Sequence, residues 1–294
     1  MLAYKKVGIT VKSGLSRRDE AVRMLIDSLE KAGAEVLLDR RRCNDMEEAA
    51  NHELFDIEKG LDLLIVVGGD GTILRAVREL ADPSIPILSV NLGMLGFLAE
   101  MMITDIPESL PKFLRGEGTI DERALLDVDA FRDGKKIHSG CVLNEAVLSQ
   151  GSIARLVDLR TSINGEELTI YRADGLIIAT PTGSSAYSLA AGGPVVHPKM
   201  SATILTPINP QSFSQKPIVI PGDHEVEVEI LTKPNKFHTI EVSLTLDGQT
   251  HLSLQGHDII RTKRSARTVK FLRLKTDGFY ATLRNKLKWG DRLD

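Results

Sequence analysis

The sequence predicts an α/β domain followed by an all-β one: an N-terminal doubly wound parallel sheet, then a C-terminal antiparallel β domain, closed by a last helix. Three observations carry this. In the first hundred residues, apolar runs rich in β-branched residues alternate with amphipathic helical patterns, as strand–helix–strand units of a parallel sheet do. From Arg123 onward the texture changes to short strands with turn signals. Asp133-Gly134 and Asn164-Gly165 each sit between alternating segments, the mark of tight hairpins. The chain then ends on a helical pattern over residues 278–287, rich in Arg and Lys.

The elements follow in order. Residues 7–11 read as a first strand. Ser16 is placed to cap a helix that carries Ala21, Val22, Leu25, Ile26 and Leu29 on one face, with Gly33 as its stop. Residues 35–38 form a second strand, and the polar stretch 40–59 holds a short helix near 46–52. Leu63–Val67 is a buried strand. After it Ile73, Leu74, Val77 and Leu80 face one way and Arg75, Arg78 and Glu79 the other, so a helix follows. Residues 85–90 make another strand, and 104–115 a short helix with Pro107 near its start. In the β half, strands are expected at 175–179, 218–220, 225–231, 241–246 and 269–274. These readings divide the chain into an α/β domain (1–100), a β-rich domain (101–265) and a terminal strand and helix (266–294) that pack back on the first. No Pro-, Gly- or Ser-rich linker separates the halves, which favours close docking and a site between them.

Composition narrows the class. With 42% hydrophobic residues in 294, the chain can bury a sizeable core. A net charge of −3 and 4% aromatic residues give no general attraction to nucleic acid or anionic membrane and no base-stacking platform. Cys43 and Cys141 lie in no paired motif, which fits reduced thiols in the cytoplasm. No apolar run reaches membrane-spanning length.

The chemistry concentrates around Gly68-Gly69-Asp70-Gly71-Thr72, between a buried strand and a helix N-terminus. Glycines let a ligand approach the backbone, and free N–H groups with the helix dipole suit a phosphate. A carboxylate repels phosphate, so Asp70 either handles a proton or a metal ion beside it, or merely caps the helix. The loop 91–98, NLGMLGFL, has Gly93 and Gly96 for close approach. Its Phe97 either lies against a flat ring such as adenine or is a core side chain. Asn144-Glu145 interrupts the apolar strand CVLNEAVL. The pair either reads a ribose or base edge, with Glu145 as acceptor, or ends a strand in water. The stretch 172–198 runs from a strand into TPTGSS and a small-residue segment, suited to phosphate or ribose, though a plain flexible loop has the same composition. It lacks the GxSxG elbow spacing. Leu246-Asp247-Gly248-Gln249 is by itself a hairpin turn. Neither a Walker A sequence, a GxGxxG after the first strand, nor a Cys/His metal motif is present.

GGDGT, NLGMLGFL, the Asn-Glu pair, DGLIIATPTGSSAYSLAAGGP and LDGQ, in this order and spacing, resemble the NAD kinase family over nearly the whole chain. GGDGT alone is shared with diacylglycerol and sphingosine kinases; the TPTGSSAYSLAAGGP stretch is far more specific. The resemblance implies transfer of the γ-phosphoryl of ATP, or a phosphoryl of inorganic polyphosphate, to the 2′-hydroxyl of the adenosine ribose of NAD. It assigns Asp70 as proton acceptor and, with Gly71, as a contact of NAD. It places Asn144, Glu145, Arg172, Asp174, Ser185, Ala186, Tyr187, Ser188, Leu189, Ala190 and Gln249 at NAD, together with Arg75 and Arg155 as basic contacts. Mg²⁺ is expected on the ATP phosphates with no protein cage, and a homodimer or homotetramer in the cytoplasm. One departure is Gln211 in Asn209-Pro210-Gln211-Ser212, where many members have histidine. A lipid kinase would need an apolar pocket for acyl chains, which the small polar TPTGSS loop does not suit. A non-catalytic dinucleotide-binding regulator could discard Asp70.

Overall fold

A computed structural model describes residues 2–14, 16–56, 60–80, 82–93, 96–150, 156–231, 242–274 and 279–288. The chain forms two units, Met1–Glu122 with Val269–Asp294, and Arg123–Thr268.

In the first unit, strands β1 (Lys6–Val11), β2 (Glu35–Asp39), β3 (Glu53–Phe55), β4 (Leu63–Val67) and β5 (Ile87–Asn91) are parallel and lie in the order β5-β4-β1-β2-β3. The helices between them are α1 (Arg18–Ala32), α2 (Arg40–Cys43) and α3 (Asp70–Glu79). Strand order reverses between β1 and β4, so the crevice beyond their carboxyl ends is where such a sheet takes a ligand. The turn at Gly68 leaves β4 at that point. A short strand β6 (Met101–Met102) pairs with β5 and leads through a 3₁₀ turn into α4 (Ile106–Leu114).

The core explains the helices. Val7, Ile9 and Val11 of β1 and Leu63, Ile65 and Val67 of β4 pack with Ala21, Val22, Leu25, Ile26 and Leu29 of α1. Ile106, Leu110, Phe113 and Leu114 of α4 join the same cluster. That packing groups residues 101–122 with the first unit, whereas the division read from the sequence put them in the β-rich domain. Two further local expectations change. Ser16 does not cap α1: the helix is entered through Arg17 in a left-handed conformation, φ 64°, with no side-chain cap, and Asp19 and Glu20 supply the acidic first turn that the helix dipole favours. The short helix expected near 46–52 is a 3₁₀ turn at Glu47–Ala50, preceded by α2 and followed by the strand β3, which is too short to show an alternation.

The second unit is built of antiparallel strand pairs. Its strands are β7 (Thr119–Arg132, which begins in the first unit), β8 (Lys135–Val142), β9 (Glu145–Gln150), β10 (Val157–Ile163), β11 (Glu166–Ala173) and β12 (Gly175–Ala179). After the short helix α5 (Tyr187–Ala190) come β13 (Ala202–Ile208), β14 (Ile218–Pro221), β15 (Val226–Ile230), β16 (Val242–Leu246), β17 (Thr250–Leu254) and β18 (Ile259–Arg273). One sheet runs β14-β13-β12-β9-β16-β17; the other contains β11-β10-β15-β18, with β7 pairing β18 and β8. Leu148, Leu176, Ile178, Leu205 and Leu244 of the first sheet pack with Leu159, Tyr171, Val228 and Ile260 of the second, a sandwich core.

Three hairpins have both central residues left-handed: Asp133/Gly134 at φ 49° and 73°, Asn164/Gly165 at 49° and 82°, and Asp247/Gly248 at 48° and 65°. This is the turn whose twist matches paired strands, and Asn or Asp followed by Gly is the sequence that tolerates it. β18 carries the chain back to the first unit, where Phe271 pairs in parallel with Ile87 of β5, and α6 (Phe279–Leu287) follows. Glu241 and Gly278, the first residues of two expected elements, lie outside the described residues.

Candidate active site

In the first unit the site is built at the carboxyl end of β4. The chain leaves β4 at Gly68, φ 152°, where a Cβ would stand 2.5 Å from Thr72 Oγ1; only glycine permits this turn. Gly69 is the N-cap of α3, and its carbonyl accepts the N–H groups of Thr72 and Ile73. Asp70 therefore opens the helix but does not cap it. Its half-buried carboxylate accepts the backbone N–H of Phe97 at 3.0 Å and of Leu98 at 3.3 Å. Gly96 lies directly against it, since a Cβ there would be 2.0 Å from Asp70 Oδ1. The close approach for which the sequence provides Gly96 is thus made by Asp70. Phe97 serves Asp70 with its main chain, and its ring is half-buried. Met94 and Leu95 of this loop lie outside the described residues. Gly71 is exposed at the first turn of α3.

Arg75, one turn further along α3, reaches back to the Val11 carbonyl at the end of β1 at 3.4 Å. Burial, then the neighbouring charge of Arg42, holds its guanidinium below the usual range. Arg42 belongs to a buried network that the sequence did not reveal. It bonds Asp39 at 2.6 Å and both oxygens of Glu79 at 2.8 and 2.7 Å, while Asp39 accepts the Thr10 hydroxyl at 2.5 Å. The network joins the ends of β1 and β2 to the last turn of α3. Cys43, buried beside it, has its thiol pushed up to about 12 by burial and by the Asp39 charge.

In the second unit the pair Asn144-Glu145 enters β9 on a frame set by the β16–β17 turn. The Asp247 carboxylate accepts three consecutive backbone N–H groups, of Leu143 and Asn144 at 2.8 Å and of Glu145 at 3.0 Å. The Asp247 N–H returns a bond to the Glu145 carbonyl at 3.0 Å. The LDGQ turn, legible alone only as a hairpin, is therefore a clamp on the Asn-Glu pair. Gln249, in the same turn, donates its N–H to the Leu246 carbonyl at 2.9 Å.

The TPTGSS loop closes on the same pair. Thr180 donates its N–H to the Asn144 carbonyl at 2.8 Å and its hydroxyl to the Leu143 carbonyl at 2.5 Å, and a Cβ on Gly183 would be 2.2 Å from the Asn144 oxygen. Ser184 ties the loop to Pro181 and Val196. Among residues 185–190, Ser185, Ala186 and Leu189 are half-buried and Tyr187 and Ala190 exposed. Ser188 points inward, its hydroxyl 2.9 Å from that of Thr206, so its side chain serves the scaffold.

Glu145 is 7% exposed, and its Oε2 is buried without a hydrogen-bond partner. Burial first, then the Asp247 charge, pushes its carboxyl up to about 8, against the pull of the Tyr187 backbone N–H. A buried polar atom left unpaired is costly.

The structure does not gather all the second unit's candidates at one point. β12 pairs Ala179 with Glu145 and Gly175 with Ser149. Asp174 therefore stands at the opposite end of this strand from Glu145, roughly 15 Å away at the usual rise per residue. There it accepts Asn209 Nδ2 at 3.0 Å, and exposed Arg172 lies 3.9 Å from Asp158. The Gln211 N–H donates to the Arg172 carbonyl at 2.8 Å. The Asn-Glu pair and Asp174, which the sequence presents as one group, are two. Arg155 lies outside the described residues. Among the described residues no group of three or more His, Cys, Asp or Glu could hold a metal ion, and no helix is long and apolar enough to cross a membrane.

A glycine turn that opens a helix on a carboxylate at the switch point of a parallel sheet, in a chain whose other unit carries a hydroxyl-rich loop, is the equipment of a nucleotide phosphotransferase. The comparisons with known proteins agree. The N-terminal domain of ATP-NAD kinase matches residues 7–118, and its C-terminal domain residues 143–274. The NAD kinase of Geotalea daltonii is 37% identical over 288 residues, covering 98% of this chain and 100% of the relative. That of Desulforamulus reducens is 44% identical over 234 residues, 79% of this chain and 80% of the relative. Yeast NADH kinase complexed with NADH has the same fold, with a TM-score of 0.89 at 26% identity, covering 99% of this chain and 89% of that one. An Archaeoglobus fulgidus NAD kinase in complex with ATP gives 0.72 at 25% identity, with 96% and 97% covered. The chain belongs to the NAD kinase family.

Proposed function

We propose that this kinase transfers the γ-phosphoryl of ATP to the 2′-hydroxyl of the adenosine ribose of NAD, with Asp70 as the proton acceptor. The observation that carries the reading is the held carboxylate of Asp70 at the N-terminus of α3. Each of its oxygens takes one backbone N–H, and an ionised carboxylate has room for about four such bonds, so both keep acceptor capacity. A ribose hydroxyl ionises far above neutral pH, so a carboxylate within hydrogen-bond reach assists its attack. Phosphoryl transfer otherwise needs positioning and charge neutralisation more than covalent help. The N–H groups of the Gly69–Gly71 turn and the dipole of α3 favour phosphate there, and Arg75 adds a cation one turn on.

Asn144, Glu145, Gln249 and the 185–190 loop hold NAD, and Arg172 and Asp174 supply further contacts. When bound, Mg²⁺ would come with the ATP phosphates and offset their charge, with Asp70 the one carboxylate among residues 70–75 that could face it. The two free cysteines fit a reducing cytoplasm, and the family resemblance favours a homodimer or homotetramer.

The test is product formation with Mg²⁺ from NAD and from NADH, each with ATP and with polyphosphate, and with a diacylglycerol as competing acceptor. NAD-dependent release of ADP with formation of NADP supports the reading. Phosphorylation of the lipid, or none with NAD, defeats it.

A further inference from the structure

The carboxyl of Glu145 is unlike an ordinary ribose-reading carboxylate. It lies beside a second carboxylate, Asp247, on the strand entry that Asp247 itself organises. The two differ in how they are served. Asp247 receives three backbone N–H groups, the arrangement that holds a carboxylate ionised. Glu145 receives the backbone N–H of Tyr187, and its Oε2 is buried with no partner. The elements packed on it are β12, whose Ala179 pairs with Glu145 and brings no titratable side chain, the β16–β17 turn and the start of α5. Among the described residues the only charge felt from them is the negative one of Asp247. Two adjacent negative charges in a nearly dry place, awaiting a ligand that carries its own phosphates, is an unfavourable arrangement. One charge shared by the pair, resting on Asp247, is favourable.

We infer that Glu145 meets NAD as a neutral carboxylic acid and donates a hydrogen bond from its unpartnered oxygen to a lone-pair acceptor of the nucleotide. This rests on the reading that Glu145 touches NAD. It reverses the role that residue type alone suggests, since glutamate in a strand reads as an acceptor. The asymmetry gives the site a proton that must be present when NAD binds. Affinity for NAD therefore falls at alkaline pH although NAD itself titrates nowhere near that range. The loss follows the ionisation of Glu145 against Asp247, about tenfold per pH unit above about 8.

The experiment is NAD binding by calorimetry on the full chain from pH 6.5 to 9.5, with Glu145→Gln and Glu145→Ala alongside. Wild type is expected to weaken by tenfold or more across the upper part of this range. The Gln variant keeps a donor but no titration: it is expected to bind less than about tenfold more weakly than wild type at pH 7 and then to show a flat profile. The Ala variant is expected to lose about a hundredfold at pH 7. An infrared difference spectrum between wild type and the Gln variant at pH 7 should contain the C=O stretch of a protonated carboxyl, a signature that an ionised Glu145 would not give. A pH-independent wild-type affinity, or a Gln variant as weak as Ala, overturns the neutral-acid assignment while leaving Glu145 at NAD. An Ala variant that binds NAD as wild type does removes Glu145 from the site and overturns both readings.

Discussion

Gly96 and Asp70 are in van der Waals contact across 26 residues of chain, so close that a methyl group on Gly96 would stand 2.0 Å from Asp70 Oδ1. With the Phe97 and Leu98 N–H groups, this contact fixes where the carboxylate points. The Gly96→Ala variant should keep its fold, because the atom displaced is the end of a side chain. Its kcat should fall about 10- to 100-fold as the carboxylate is turned away from a hydroxyl it must reach within hydrogen-bond distance. Comparing kcat with the melting temperature checks this: a large drop in stability with kcat preserved would place the contact in the scaffold alone.

Asp70→Asn keeps the shape and removes the base. Turnover should fall by about 10²–10⁴, while the dissociation constant for NAD changes by less than the rate does. Near-wild-type turnover in steady-state kinetics would exclude Asp70 from proton transfer.

Asp247→Ala removes the partner of three backbone N–H groups at once. Hydrogen bonds to a charged group contribute about 1.5–3 kcal/mol each, and water refills part of the loss. A net destabilisation of about 2–4 kcal/mol is expected in denaturant titrations. Hydrogen exchange at Leu143, Asn144 and Glu145 should rise with it. Unchanged protection at these three amides would show that the turn does not clamp the strand.

The raised pKa of Glu145 also ties stability to pH in the free protein. Its carboxyl titrates near 4.5 when unfolded and near 8 when folded, so the folded state holds the extra proton. The stability contributed is complete below about 4.5, is lost as pH rises, and is gone above about 8. Glu145→Gln cannot titrate. Relative to wild type it should gain stability between those limits, by on the order of a few kcal/mol in total. Parallel pH profiles for the two proteins would contradict the shift.

Local rules were legible in the sequence where the backbone demands a particular residue. Asp133-Gly134 and Asn164-Gly165 mark their hairpins because both positions need a left-handed conformation. The apolar run at β4 and the glycine turn after it mark the carboxyl end of a parallel strand. The entry to α1 was misread because Arg17 adopts the left-handed conformation usually left to glycine or asparagine. Strand β3 was missed because three residues carry no period. In the candidate site, the residue types were readable but their partnerships were not. Asp247 and Asn144 are 103 residues apart, Arg42 and Glu79 are 37 apart, and nothing local to either announces the other. The separation of Asp174 from Glu145 follows from strand register, which only the folded sheet sets.

It is the thiolate, not the thiol, that attacks peroxides and disulfides. Cys43 sits buried against the Asp39 network with its proton held until about pH 12. At that end of the parallel sheet an oxidant therefore finds no nucleophile to react with. Whatever sets the pace of this kinase during oxidative stress acts elsewhere than through Cys43.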